Sequence, residues 1–344
     1  MKKIIFLLLT SIMVVSLVSC GSNGETSASD NTTEGSNVTG TITLQAGHVL
    51  TEDSPYHLAL LKWSEEVYEK TEGRIQIDVF ANSTLGNERE MIEALTMGTL
   101  DITLPNSAPL ANFTDAFRVF DLPFLFMNRE DAYAVCDSEI GENMLSSLED
   151  QGIIGLSMWE NGFRYIANST KEVYTPADLA GMKIRTMEND IHMASFRAWG
   201  ADATSMAWGE VYTAVQQRTV DGLENPITPI YQNALHEVAP YITMTGHFYC
   251  PAPLLIAQST WDTLSEEDQQ ILKETAEELK AYERDLCLEY DNNYITAMEE
   301  EGATVVGEDE IDKQVWRDTA QSVYDEYTSV IGEDLLAQIQ EMIA

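Results

Sequence analysis

Arg185 lies inside a strand-like, largely apolar stretch, GMKIRTMEND (181–190), of a strongly acidic chain. The 344 residues include 19 Lys and Arg against 57 Asp and Glu. A guanidinium group donates two parallel hydrogen bonds to a carboxylate and stays protonated, so it suits a carboxylate that is taken out of water. Two interpretations are open on these residues alone. Arg185 forms an internal ion pair with an Asp or Glu of the chain, or it binds the carboxylate of a ligand.

Motifs for covalent, phosphate and metal chemistry are missing from the sequence. GxSxG is absent, and GLSMW (155–159) lacks the second glycine of that motif. HExxH, a Walker A loop and paired CxxC motifs are absent too. The many carboxylates single out no glycosidase dyad. These absences disfavour an enzyme, and the sequence predicts no cofactor and no metal site.

Three cysteines follow residue 20, namely Cys136, Cys250 and Cys287. They are odd in number and widely spaced, which is typical of neither a disulfide framework nor a zinc site. We interpret them as buried or idle thiols.

The first twenty residues, MKKIIFLLLTSIMVVSLVSC, have the pattern of an export signal. Two lysines precede an apolar run (4–18) that is too short for an ordinary membrane span. LVSC (17–20) resembles a bacterial lipobox, which predicts lipidation of Cys20. A plain secretory signal with a chance cysteine is the alternative.

Residues 21–40 contain Val38 as their one large aliphatic residue and are expected to form a flexible tether. The formal net charge of the whole chain is −38. Such a charge disfavours nucleic acid and anionic membrane surfaces as partners. It also repels anions at long range, so an anion site must be built locally from placed donors.

Strand-like runs alternate with amphipathic helical patterns as far as about residue 218. The predicted strands lie at 42–46, 74–80, 101–104, 153–158, 163–167 and 182–186, and the predicted helices at 55–70, 88–97, 190–199 and 208–218. This alternation predicts an α/β fold built from crossover units. A further helical pattern begins after Ser265 and runs to Glu301. It predicts either one long helix that braces two lobes or a helix broken into two.

Five sequence blocks, taken in order, resemble the extracytoplasmic solute-binding proteins of TRAP transporters, the DctP family. The blocks are TLGNEREMIEALTMGTLDIT (84–103), FDLPFLF (120–126), WENGFRYIANS (159–169), GMKIRTMEN (181–189) and SMAWGEVYTAVQQRTVDGLENP (205–226). The resemblance extends from about residue 41 to the C-terminus. It implies a two-lobed periplasmic-binding-protein-like α/β fold with hinge strands and a long helix spanning both lobes. We expect lobe I at 41–163 plus about 251–290, and lobe II at about 164–250 plus 291–344.

The family pattern assigns the carboxylate clamp to Arg185. It also matches Arg164 of NGFR as a second arginine, which positions the carboxylate through water or shapes the hinge, and Asn225 of ENP as a fixed amide. His48 and Asn106 match polar contact positions. Their alternatives are a capping or core histidine and a turn-forming asparagine.

Five further residues are candidate contacts. Trp208 is expected to stack on the ligand body, with a core role as its alternative. His247 and Tyr249 are expected to add donors, with the same alternative. Glu188 is expected at the cleft mouth together with Asn189, where a carboxylate accepts hydrogen bonds from ligand hydroxyls and repels a second carboxylate.

Two charged residues of the LGNERE segment receive a different interpretation. Glu88 and Arg89 are predicted in the first turn of a helix, where an acid complements the helix dipole. We interpret both as structural or as facing the transporter, not as ligand contacts.

The resemblance implies a receptor that captures an organic carboxylate by cleft closure and delivers it to small and large TRAP membrane subunits. The expected ligand is a sugar acid such as a hexuronate, or a C4-dicarboxylate. The expected location is the outer face of the bacterial cell membrane, with a lipid anchor. A ligand-binding subunit of a membrane sensor and an anchored hydrolase are alternatives. The oligomeric state is open, and the long helix offers one surface for a dimer.

Overall fold

The computed structural model describes residues 41–344. The predicted export signal, the lipidation at Cys20 and the tether (21–40) fall outside the described residues. Within 41–344, no helix combines the length and apolar character needed to cross a membrane.

Nine strands form one mixed sheet within the described residues. They are β1 (Ile42–Gly47), β2 (Ile75–Phe80), β3 (Ile102–Thr103), β4 (Ile153–Asn168), β5 (Lys183–Thr186), β6 (Asp202–Ser205), β7 (Gly222–Asn225), β8 (Tyr241–Ala257) and β9 (Thr304–Val306). Their order is β2-β1-β3-β8-β4-β7-β5-β6, and β9 pairs with β8. The parallel set β2-β1-β3 lies on one side and the parallel set β7-β5-β6 on the other. The long antiparallel pair β4–β8 joins the two sets.

Helices cover both sets of strands. They are α1 (Pro55–Lys70), α2 (Glu88–Thr96), α3 (Ser107–Leu110), α4 (Arg129–Cys136), α5 (Glu139–Ser146), α6 (Asp190–Ala198), α7 (Val211–Gln216), α8 (Ile227–Gln232), α9 (Leu235–Val238), α10 (Gln258–Trp261), α11 (Glu266–Glu300), α12 (Lys313–Thr319), α13 (Gln321–Ile331) and α14 (Glu333–Met342). The core is rich in large aromatic side chains, and Trp63, Trp159, Trp199 and Trp316 are fully buried. The α/β prediction is confirmed, while the predicted lobe boundaries remain a prediction.

β4 is one continuous strand of 16 residues where the sequence predicts two strands, at 153–158 and 163–167. The intervening Glu-Asn-Gly segment has the composition of a turn but forms a bulge. The register against β8 shifts at three places, between Gly155 and Ser157, between Glu160 and Gly162, and between Arg164 and Ile166. Gly162 has φ +112°, a conformation that glycine adopts without the strain a side chain would add. The bulges therefore bend the strand without ending it.

The segment from residue 208 to 218 also differs from its prediction as one helix. Trp208–Glu210 forms a 3₁₀ turn, and α7 begins only at Val211. The tighter turn fixes the position of the Trp208 side chain at the start of the helix.

The long helix α11 is unbroken over 35 residues, so the prediction of a single helix is correct. Ser265 caps it by accepting a hydrogen bond from Asp268 N at 3.1 Å. The indole N–H groups of Trp63, in α1, and Trp159, in β4, donate to its backbone carbonyls at 3.2 and 3.0 Å. The helix thus packs against the first parallel set through α1 and against the central strands through β4.

A buried ion-pair network fastens the middle of α11 to three other elements. Arg129 of α4 pairs through Nε with Glu160 of β4 at 2.7 Å, and through Nη2 with Asp291 of α11 at 2.6 Å. The other oxygen of Asp291 accepts from the Thr228 hydroxyl at 2.8 Å, at the start of α8. Asp291 therefore links α4 to α8 at the level where β4 is bulged.

Candidate ligand-binding site

The predicted site residues lie at the carboxyl ends of parallel strands. His48 follows β1, Asn106 follows β3, Arg185 lies in β5, and Asn225 ends β7. Loops at the carboxyl ends of parallel strands are where α/β proteins bind ligands. The fold therefore directs these four residues to the edges of the two parallel strand sets.

Arg185 is 2% exposed and forms no ion pair with any described residue. Its Nε and Nη2 both donate to the Met206 carbonyl, at 2.9 and 2.6 Å. Its guanidinium lies 5.9 Å from the centre of the Trp208 ring, within the range of a cation–π contact. The arginine is thus held by neutral groups, and its charge has no carboxylate within ion-pair distance.

A cavity of about 10 Å³ lies against this guanidinium. Its lining consists of Asn87, Glu88, Pro109, Arg185, Met187, Glu188, Met206, Ala207 and Trp208. The pKa of Arg185 is lowered to about 10, chiefly by burial; the Glu224 carboxylate opposes this shift and the nearby Arg164 adds to it. Arg185 remains protonated at neutral pH, so the site presents a poorly solvated cation.

Arg164 has a different environment although it is also fully buried. Its Nε pairs with Glu224 Oε2, and its Nη2 donates to Glu224 Oε1 at 3.0 Å and to the Glu224 carbonyl at 2.8 Å. Burial alone would lower the pKa of Arg164, but the Glu224 carboxylate raises it above its ordinary value. One nitrogen, Nη1, is buried without a hydrogen-bond partner among the described residues. Arg164 is therefore paired with Glu224, and the two N–H groups of its Nη1 have no partner among the described residues.

Glu88, interpreted above as structural or as facing the transporter, lines the Arg185 cavity. Its Oε1 accepts a hydrogen bond from Asn106 N at 2.8 Å, and burial raises the pKa of its carboxyl group. Arg89, by contrast, is exposed and pairs with Glu93 at 3.0 Å. The first turn of α2 thus directs one side chain to the cavity and the next to solvent.

Asn106 and His48 each keep one buried polar atom without a protein partner in residues 41–344. Asn106 Oδ1 caps α3 by accepting from Ala108 N at 3.0 Å, which is its turn-forming role, while Nδ2 is unpaired. His48 Nε2 lies 3.0 Å from His57 Nδ1, and its own Nδ1 is unpaired. Burial, together with repulsion from His57, lowers the pKa of His48 to about 3, so the ring is neutral at pH 7.

The chain is similar to known proteins in sequence and in fold. Residues 46–329 match the bacterial extracellular solute-binding proteins of family 7, DctP. The chain belongs to this family. The 2,3-diketo-L-gulonate-binding periplasmic protein YiaO of Escherichia coli (strain K12) is 33% identical over 302 residues, which are 87% of this chain and 92% of that protein.

Solved structures of family members have the same fold. The sugar acid binding protein DctPAm from Advenella mimigardefordensis strain DPN7T, in complex with galactonate, has a TM-score of 0.85 and 31% identity, over 88% of this chain and 98% of its own. A TRAP periplasmic solute-binding protein from Polaromonas sp JS666, bound to D-erythronate, has a TM-score of 0.84 and 36% identity, over 87% and 98%. The resemblance to TRAP solute-binding proteins and the predicted fold class are confirmed. The family is extracytoplasmic, and these relatives are binding proteins of transport systems.

Three of the remaining predicted residues lie at or near the Arg185 cavity: Glu188 and Trp208 line it, and Asn225 lies next to the buried Glu224. Glu188 is half-buried in the cavity wall, and Trp208 closes another side of it. Asn225 is 5% exposed, and its side-chain amide makes no hydrogen bond within the described residues. It directly follows Glu224 on β7.

His247, Tyr249 and Asn189 lie in the interior instead. His247 Nε2 is 3.7 Å from Glu224 Oε2, too far for a hydrogen bond, and its Nδ1 is 2.6 Å from the Thr245 hydroxyl. Burial lowers the pKa of His247 to about 4. The Tyr249 ring packs edge-on against three other aromatic rings, those of Phe126, Tyr133 and Phe163.

Asn189 does not point into the cleft mouth as expected. It caps α6 by accepting from His192 N at 3.0 Å, and its Nδ2 donates to Ala108 O at 2.9 Å and to Asp121 Oδ2 at 2.7 Å. Asn189 therefore ties α6 to the segment that contains α3.

Two acids of the site, Glu88 and Glu224, were not predicted as site residues. Glu88 begins the helix that follows β2, and therefore lies at the same sheet edge as His48 and Asn106. Glu224 immediately precedes Asn225 in the matched block. Each acid lies close to the end of a strand in the sequence, and this position could have identified it as a candidate site residue.

A larger cavity, of about 630 Å³, lies away from Arg185, between α5, the start of β4 and α11. Its charged lining comprises six acids and two lysines, namely Asp137, Glu142, Glu149, Glu274, Glu277, Glu278, Lys273 and Lys280. A carboxylate would be repelled there, so the smaller cavity at Arg185 is the better candidate for an acid.

Proposed function

We propose that this protein is a TRAP solute receptor that captures an organic carboxylate on Arg185. One observation carries the proposal. Of the three buried arginines within residues 41–344, Arg164 pairs with Glu224 and Arg284 pairs with Asp137, while Arg185 has no ion pair. A buried cation without a counter-charge is costly unless a ligand supplies the missing carboxylate.

The polar groups around Arg185 favour a hydroxylated monocarboxylate over a dicarboxylate. Arg164 is neutralised by Glu224, so it offers the N–H groups of Nη1 and no free charge for a second carboxylate. Glu88 and Glu188 line the cavity and accept hydrogen bonds from hydroxyl groups, but they repel another anion. A sugar acid, such as a hexuronate or aldonate, satisfies these groups, in line with the galactonate and D-erythronate bound by the two related structures.

Capture takes place by closure of the two strand sets around the acid. The open form admits the ligand, and the carboxylate on Arg185 then favours the closed form through charge and hydrogen bonds. The closed complex delivers the acid to small and large TRAP membrane subunits. A lipid on Cys20 keeps the receptor at the outer face of the membrane.

A thermal-shift screen with uronates, aldonates and C4-diacids tests the ligand class, because stabilisation follows ligand occupancy. We expect sugar acids to raise the unfolding midpoint of the protein. Stabilisation by succinate or malate, with none by any sugar acid, would overturn this choice of ligand.

Titration calorimetry with the best acid tests the role of Arg185. Arg185→Ala loses a buried charged interaction of about 2–5 kcal/mol, which reduces affinity by roughly 30-fold to several thousand-fold. Arg185→Lys also weakens binding, since an ammonium group cannot reproduce the two-pronged contact. The matched control is Arg89→Ala, which removes an exposed arginine beside the site and leaves affinity unchanged. Near-normal affinity of Arg185→Ala would exclude the clamp.

A further inference from the structure

A second cavity adjoins the Arg185 cavity and shares Trp208 as a wall. We call it the vestibule, and it has a volume of about 160 Å³. Val49, Val211 and Leu235 form its apolar lining. One ordered water needs about 10–15 Å³ on this measure. The Arg185 cavity therefore has room for about one water molecule, whereas the vestibule has room for about 11 to 16.

The vestibule is uncharged, which is unusual for a surface of so acidic a chain. Its lining contains no Asp, Glu, Lys or Arg of the described residues. Its polar atoms come instead from amide and hydroxyl side chains, those of Asn82, Ser83, Tyr212 and Asn233. An anion that approaches Arg185 through the vestibule is not repelled by a carboxylate of its lining. A group that binds in the vestibule finds no charged side chain to pair with.

Several of these polar atoms have unused hydrogen-bonding capacity. Within residues 41–344, the side chains of Asn82 and Ser83 and the indole N–H of Trp208 make no hydrogen bond to protein. Asn82 and Ser83 both have left-handed backbone conformations, with φ of 57° and 56°. An aromatic face beside free amide and hydroxyl groups, with no charge, suits the stacking and hydrogen bonding of a neutral polyhydroxylated group.

We propose that the vestibule is a second ligand subsite, which binds the uncharged, hydroxylated end of an acid whose carboxylate lies on Arg185. This inference rests on the proposed function. The ligand passes Trp208, which packs on its middle carbons, and the vestibule then selects acids by length. Six-carbon aldonates and uronates reach it, whereas four-carbon acids occupy only the Arg185 side.

Gly209 provides a direct test, because it lines the vestibule and an added side chain there meets no atom within 4 Å. Gly209→Leu fills the vestibule without a clash in the fold. Calorimetric titrations with galactonate, glucuronate and erythronate measure its effect. We expect the affinity for the two six-carbon acids to fall at least tenfold and that for erythronate to stay within twofold of wild type. The control is Gln217→Leu, which adds the same side chain at an exposed position of the same segment.

A second variant, Asn82→Gly, removes an amide while keeping a residue that tolerates the left-handed backbone. It should weaken binding of the six-carbon acids and spare erythronate. Equal losses for long and short acids, or no loss in either variant, would overturn the subsite while leaving the proposed function intact. Wild-type protein that binds only four-carbon acids would also overturn the subsite. Wild-type protein that binds no acid would overturn the proposed function and the subsite with it.

Discussion

At the scale of single residues, two buried arginines of one site differ in what neutralises them. Arg164 is matched by Glu224, whose pKa is held below its ordinary value by Arg164 and by His247 even though burial alone would raise it. Arg185 is held only by a carbonyl and an aromatic face, and burial lowers its pKa. Arg164 therefore contributes to the stability of the folded protein. Arg185 lowers that stability in the absence of ligand, and a bound carboxylate offsets the loss.

This difference predicts opposite stability effects for the same substitution. Arg164→Met leaves Glu224 buried and unpaired, and should reduce the free energy of unfolding by about 3–5 kcal/mol. Arg185→Met removes a desolvated cation, which offsets the loss of its hydrogen bonds to Met206. Its free energy of unfolding should stay within about 2 kcal/mol of wild type. Urea unfolding of the ligand-free proteins measures both. A larger loss for Arg185→Met than for Arg164→Met would contradict this account.

At the scale of elements, α11 and the bulged strand β4 share a buried acidic cluster. Glu283 of α11 is fully buried and accepts a hydrogen bond from Glu160 N at 2.8 Å, and Cys287 donates to its other oxygen at 3.2 Å. Burial raises the pKa of Glu283 to about 8, and the Glu160 N–H only partly opposes that rise. Glu283 is therefore mostly protonated at pH 7 in the folded protein.

The sign of this shift predicts a loss of stability with rising pH. The folded state keeps the Glu283 proton up to about pH 8, whereas the unfolded state loses it near pH 4.5. Folding is thus progressively weakened as pH rises through this window. Glu283→Gln lacks this dependence. The difference in free energy of unfolding between this variant and wild type should therefore change in favour of the variant by on the order of 4 kcal/mol from pH 5 to pH 8. Urea unfolding at several pH values measures this change.

The control is Glu289→Gln, an exposed change on the same helix, which should show no such change. Parallel pH profiles for wild type and Glu283→Gln would disprove the shift.

At the scale of the whole molecule, a few polar contacts join the loop after β1 to α8. Thr51 donates to Gln232 Oε1 at 3.2 Å, and Gln232 Nε2 donates to the Asp53 carbonyl at 2.9 Å. By the predicted boundaries, these contacts connect lobe I with lobe II. We infer that they stabilise the closed conformation and are lost on opening.

Gln232→Ala should therefore shift the population toward the open form without altering the cavity. The variant also loses a hydrogen bond from Gln232 to the Tyr294 hydroxyl of α11, at 3.3 Å, which does not reach the loop after β1. Loss of the two hydrogen bonds that do reach this loop, of about 0.5–1.5 kcal/mol each, weakens ligand binding by roughly 5- to 150-fold, with the ranking of different acids unchanged. Calorimetry measures the affinities, and small-angle scattering should show a larger radius of gyration for the ligand-free variant. Gln270→Ala, an exposed change on α11, is the control. Unchanged affinity for Gln232→Ala would show that these contacts do not set the closure equilibrium.

Much of the architecture was predictable from local sequence. The α1 and α11 helices begin where Ser54 and Ser265 act as caps, and the alternating pattern of β2 predicts its half-buried strand. The family blocks identified Arg185 as the clamp candidate. Such features depend on neighbouring residues and on the period of apolar side chains, and both are readable along the chain.

Other features depended on residues far apart in sequence. Arg164 and Arg185 both lie in strand-like, largely apolar stretches, yet only the packing of β4 against β7 brings Glu224 to Arg164. The turn-like segment in the middle of β4 became a bulge because β8 pairs along its entire length.

The sequence by itself thus determined the α/β class, many of the helices and strands, the family and the set of candidate donors. Only the tertiary structure decided which arginine is neutralised, that Glu88 faces the cavity, and that an uncharged vestibule adjoins Trp208. The physical reason is that desolvation and ion pairing are set by the distance between side chains in space, and that distance is fixed by tertiary packing.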